Sequence, residues 1–157
     1  MPYLMSTVLL SLLLMACSVQ QEEKAMPKTG EQSMVTQTAH VDAMLVRSWQ
    51  VTDIDGQKVQ ADDYQLIMAA DGKLSAYFGC NRIMGSLKTA NVGQFQLADG
   101  LASTRMLCQH NRDEQQGINA LQSAVQYEVI TRKAPYEQLV LRDATGKVRL
   151  QALFRLF

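Results

Sequence analysis

The sequence predicts an α+β fold: a curled antiparallel β-sheet, partly open and barrel-like, covered by one main α-helix. Three observations predict it. From Val46 onward, short apolar runs recur with the two-residue period that sends alternate side chains to opposite faces of a strand. Asp55-Gly56, Asp71-Gly72 and Asp99-Gly100 punctuate these runs, and such pairs readily adopt the positive φ of tight hairpins. A single stretch, opening at Asn111, has helical spacing, and strand-like runs flank it on both sides.

Taken in order, Val46 to Ile54 carries Trp49 and β-branched residues and stops at Asp55-Gly56. Gln57 to Asp63 is polar and irregular. Tyr64 to Ala69 is apolar on both faces, as a buried strand would be. Leu74, Ala76 and Phe78 alternate with Ser75 and Tyr77, so the two runs around Asp71-Gly72 form the clearest hairpin. After the bend at Gly79-Cys80, Ile83 to Thr89 reads as a short strand, and Phe95 with Leu97 begins another segment. Asn111 suits a helix cap, and Glu114 three residues on completes a capping-box spacing. Ile118, Leu121 and Val125 give the helix its apolar stripe. Gly117 weakens such a helix by about 1 kcal/mol relative to alanine, which fits a close approach to a sheet. Tyr127 to Lys133, Gln138 to Arg142 and Lys147 to Phe157 read as strands, the last two joined by Ala144-Thr145-Gly146. In the final run Leu150, Ala152, Leu153, Phe154, Leu156 and Phe157 are apolar on both faces. That describes a central strand, or a strand with some of these side chains lining a groove for an acyl chain or partner peptide.

Residues 1–16 contain no charged side chain, and Val8 to Met15 is almost wholly apolar. The run is shorter than the roughly 20 residues needed to span a bilayer and fits the core of a signal peptide. It ends Leu14-Met15-Ala16-Cys17, which resembles a bacterial lipobox and makes Cys17 the expected lipidation site. Buried acyl chains would then hold the chain to a membrane, at about 0.8 kcal/mol per CH₂. Residues 17–41 form the lipidated N-terminus and a polar tether without sustained periodicity. A flexible tether of that length reaches on the order of 25–30 Å. Ser18, being no aspartate, resembles an outer-membrane sorting signal, with the domain facing the periplasm.

Residues 42–157 are enough for one domain with its own core. Lys plus Arg and Asp plus Glu number 15 each, so no basic field favours nucleic acid. The expected state is a monomeric domain whose partner is an envelope protein or a small hydrophobic ligand. With Cys17 lipidated, Cys80 and Cys108 remain, an even number in an oxidising compartment. A bond between them would close a loop of about 29 residues, worth roughly 3–4 kcal/mol. A free buried pair and a reactive thiol are the alternatives. Cys80, Cys108 and His110 fall short of the usual four zinc ligands, since His40 lies in the tether. The nine methionines are scattered, and those of the folded part, Met44, Met68, Met84 and Met106, read as flexible core filling rather than a copper site. No cofactor, metal ligand set or catalytic residue is expected.

Two segments carry a resemblance: Gly79-Cys80-Asn81-Arg82, continuing to Gly85, and Leu101-Ala102-Ser103-Thr104-Arg105-Met106-Leu107-Cys108. Followed by a helix opening near Glu114, they resemble the META domain family, including its HslJ-like heat-inducible envelope lipoproteins. The resemblance covers about residues 42–157. It implies the α+β fold and an envelope location. It also implies a non-enzymatic part in envelope stress or in resistance to hydrophobic compounds such as novobiocin, through partner or ligand binding. A carrier of small apolar ligands is the alternative, and an unrecognised hydrolase or redox enzyme the more remote one. Asn81, Arg82, Gly85, Thr104, Arg105, Met106 and Glu114 are then a motif and a candidate binding surface. Within it Arg82 is expected to pair internally, with Glu114 or strand carbonyls, and Asn81 to bond local backbone. Thr104 and Arg105 would alternate along a strand, and Glu114 would cap its helix.

Overall fold

The computed structural model describes residues 41–155, apart from residues 60, 89–90, 109–111 and 134. Cys17 and its signal segment, the tether up to His40, His110, the Asn111 cap and the terminal Leu156-Phe157 lie outside the described residues, whereas Val41, read from sequence as the end of the tether, is buried in the core. The strands are β1 (Ser48–Ile54), β2 (Gln57–Lys58), β3 (Gln65–Met68), β4 (Lys73–Tyr77), β5 (Arg82–Ser86) and β6 (Ala102–Ser103). Helix α1 (Arg112–Ser123) follows, and then β7 (Ala124–Thr131), β8 (Tyr136–Asp143) and β9 (Val148–Arg155). They form one antiparallel sheet in the order β6-β5-β4-β3-β1-β9-β8-β7, with β2 folded back on β1.

Local chemistry explains the hairpins. Asp55 and Gly56 both take positive φ, 53° and 83°, as a tight turn between β1 and β2 requires. Leu66 faces Ala76 and Met68 faces Leu74 across the β3–β4 hairpin, as the alternating runs predict. At the β8–β9 turn Asp143 Oδ1 accepts from the N–H groups of Thr145 and Lys147, at 2.9 and 3.1 Å.

The concave face of the curl holds the core. Trp49, Val51, Leu66, Ile83, Leu139 and Leu150 are among its fully buried side chains. Helix α1 lies against β1, β8 and β9 and buries Gly117, Ala120 and Leu121. A Cβ on Gly117 would meet the Phe78 ring at 2.2 Å, so glycine here permits the close approach expected from sequence. The helix is shorter than its apolar stripe suggested: Val125 lies in β7 and is exposed. Core filling by methionine holds for Met68 alone, because Met44, Met84 and Met106 are exposed.

The sheet is open and does not close into a barrel. No ladder joins β6 to β7, but residues 93–98 stitch the two ends together along one seam. Phe95 N–H donates to Val125 O and Tyr127 N–H to Gly93 O, both at 2.9 Å, while Ala98 N–H reaches Ser86 O at 2.7 Å. Leu87 with Leu97, and Gln94 with Gln126, are isolated bridges.

β9 is central, between β1 and β8. Leu150 and Ala152 fill the core, whereas Leu153 and Phe154 are half-buried. Phe154 is already engaged, with Trp49 edge-on at 6.0 Å and the Arg47 guanidinium 4.8 Å above its ring.

Candidate functional site

The two motif segments meet beside the start of α1. Cys80 and Cys108 are joined by a disulfide with their Cα atoms 6.1 Å apart. This removes both thiolates from zinc binding or nucleophilic chemistry. Asn81, next to the bond, is 6% exposed. Its Oδ1 accepts from Met106 N–H at 2.7 Å and from Thr104 Oγ1 at 2.9 Å. Its Nδ2 donates to Glu114 Oε1 at 3.2 Å and to Met106 O at 3.4 Å. Its backbone N–H donates to Glu114 Oε2 at 2.6 Å. A buried carboxylate needs such donors, because burial without them is costly. The arrangement is a clasp that ties the bend after β4, the segment after β6 and the first turn of α1.

Asn81 therefore holds the position expected for Arg82. Alternation along β5 explains this: Ile83 enters the core, so the flanking Arg82 points outward. The guanidinium makes no hydrogen bond or ion pair among the described residues. Only the Arg82 backbone joins the clasp, its N–H donating to Thr104 Oγ1 at 3.0 Å and its carbonyl accepting from Thr104 N–H at 3.1 Å. Glu114, expected to cap its own helix, has both carboxylate oxygens on Asn81. Thr104 and Arg105 lie beyond the two-residue β6, and Arg105 is exposed. Met106 is tied by its backbone while its side chain is 60% exposed. Gly85 gives Leu101 room, since a Cβ there would come within 2.6 Å of it. Nearby, Asp113 accepts from the Tyr64 hydroxyl at 3.0 Å. Burial, aided by that carboxylate, pushes the Tyr64 phenol up to about 12.

A second feature lies on the opposite, convex face of the sheet. Over β1, β8 and β9 there is a hollow of about 740 Å³. Lys58, Arg132 and Lys133 supply its cations, and Val59, Tyr136 and Leu153 its apolar wall. Across its floor runs a chain of side chains. Arg132 donates to Gln138 Oε1 through Nε at 2.6 Å and also through Nη2. Gln138 Nε2 then donates to Gln151 Oε1 at 2.5 Å. Gln138 is only 7% exposed, so this orientation is held by burial as well as bonding. Sequence reasoning missed this hollow. Its parts are common polar residues on separate strands, and the one local signal is glutamine at outward positions of two successive strands.

Comparison with known proteins bears on the fold. An NMR structure of a protein from Burkholderia xenovorans superposes with a TM-score of 0.53 at 24% identity, covering 83% of this chain and 98% of that one. A crystal structure of a DUF4847 family protein from Bacteroides vulgatus gives a TM-score of 0.46 at 13% identity, over 70% of this chain and 93% of that one. No curated protein matches the chain. The family model for the META domain matches residues 42–153, a span that contains the disulfide, the clasp and the strands on either side of α1. The chain belongs to the META domain family.

Proposed function

We propose that the chain is a non-enzymatic envelope lipoprotein, anchored through Cys17 and displaying its META domain from the outer membrane toward the periplasm. It acts in envelope stress or in resistance to hydrophobic compounds such as novobiocin by binding an envelope protein or a small ligand. The supporting observation is the Cys80–Cys108 bond. Structural disulfides belong to oxidising compartments, and pairing these two leaves Cys17, at the end of an apolar run, for acylation. The clasp supports the binding part of the reading, because the motif's carboxylate and its thiols are engaged in holding the fold.

Cys17→Ala tests the anchor. The variant is expected to leave membrane fractions while its domain keeps the disulfide and its unfolding midpoint. Unchanged fractionation would reject the lipid anchor. Crosslinking in intact envelopes tests the partner, and the wild-type chain is expected to yield a discrete adduct. A second reading, a carrier of a small ligand, is favoured by the convex hollow.

A further inference from the structure

We propose that the hollow over β1, β8 and β9 binds a small organic anion with an apolar body, an acidic head on a short hydrocarbon tail. The proposal rests on the reading of this domain as a binding module and gives that reading a ligand class.

The argument starts from a group with no choice. Arg132 can only donate, so the Gln138 atom facing it must be the carbonyl oxygen. Gln138 Nε2 is thereby turned toward Gln151, whose carbonyl oxygen receives it. That in turn leaves Gln151 Nε2 as the end of the chain, and it has no acceptor among the described residues. The three side chains thus set one polarity across the floor and finish in an unmatched donor. Lys58 and Lys133 add two ammonium groups without an ion-pair partner among the described residues. Against these stands Asp53, one of whose oxygens already accepts from Gly56 N–H at 2.8 Å. The hollow is donor-rich and cationic on a chain whose formal net charge is zero, so the positive charge is a local concentration. Asp53 apart, acceptors are scarce beside the three cations and the Gln151 donor, and an anionic head brings them. Its volume, about 740 Å³, falls within the range of about 300–1,000 Å³ usual for small-molecule sites. Val59, Tyr136 and Leu153 give an attached hydrocarbon tail a surface to cover.

The full-length chain in phospholipid nanodiscs, dialysed to equilibrium against octanoate or octyl phosphate, tests this, with empty nanodiscs correcting for membrane uptake. At least one probe is expected to be retained, and which one identifies the head as carboxylate or phosphate. Lys58→Glu with Lys133→Glu should weaken retention by about tenfold or more. Gln151→Leu should weaken it about threefold. These side chains lie outside the core, and an unchanged urea midpoint will show that the variants remain folded. Octyltrimethylammonium should not be retained. Three results would overturn the proposal: retention of neither probe, equal retention by the double variant, or acetate held as tightly as octanoate. Any of them, with membrane fractionation and envelope crosslinking intact, removes this ligand and leaves the proposed function standing.

Discussion

At Asn81 one side-chain amide meets Thr104, both backbone groups of Met106, and Glu114. Asn81→Ala would remove all of these and leave Glu114 Oε1 without that donor in a buried position. We expect a loss of about 3 kcal/mol, since hydrogen bonds to charged groups contribute about 1.5–3 each and the network is cooperative. Glu114→Gln keeps the shape but sets an amide nitrogen against one of the two Asn81 donors, and about 1–2 kcal/mol should follow. Arg82→Ala, one position along, should stay within about 0.5 kcal/mol. Urea unfolding of the three variants checks the ranking, and an Arg82 effect as large as that of Asn81 would refute the clasp. The sequence marks the motif clearly and hides its division of labour. Charge draws the eye to Arg82, whereas burial on β5 falls on Ile83 and, at the bend before it, on Asn81.

Between elements, the glycine with least room for a side chain among those described is Gly117 of α1, which faces Phe78. Helix propensity alone favours alanine at this position by about 1 kcal/mol. Overpacking a buried contact costs about 1–3 kcal/mol, and Phe78 is fully buried with little room to turn. Packing should win, so Gly117→Ala is expected to lower the urea midpoint, against the sign that propensity predicts. A raised midpoint would show that the helix can shift at no cost. The same contrast explains what was legible among the elements. Asp-Gly turns fix two hairpins through backbone conformation, a local property. The end of α1 has no such mark, because no breaker separates Ser123 from Ala124 and Val125 continues the helical period by coincidence. There the helix passes directly into a strand, and the pairing of β7 with β8 decides the boundary.

At the scale of the molecule, the sheet joins segments that are distant along the chain, such as Gln50 with Leu153. Alternation tells which face of each strand is buried but not which strand lies beside it. The order in which β1 takes β9 as neighbour, and the convex hollow made by that neighbourhood, therefore could not be read locally. The seam between the sheet's two ends is another such product, and it hinges on Phe95. This side chain is 2% exposed in the core, while its backbone N–H bonds to Val125 in β7. Phe95→Ala should cost about 3–5 kcal/mol by the usual penalty for emptying an aromatic site. Against a total margin of about 5–15 kcal/mol, that loss need not unfold the domain. An open sheet gives it a place to be felt first, because β6 and β7 share no continuous ladder to hold them together once the seam loosens. In native-state hydrogen exchange, the amides of Phe95, Ala98 and Tyr127 should lose protection well before those of the β1–β9 ladder. Equal loss across both sets would mean that the curl opens as one unit, with the two ends coupled through the core rather than through the seam.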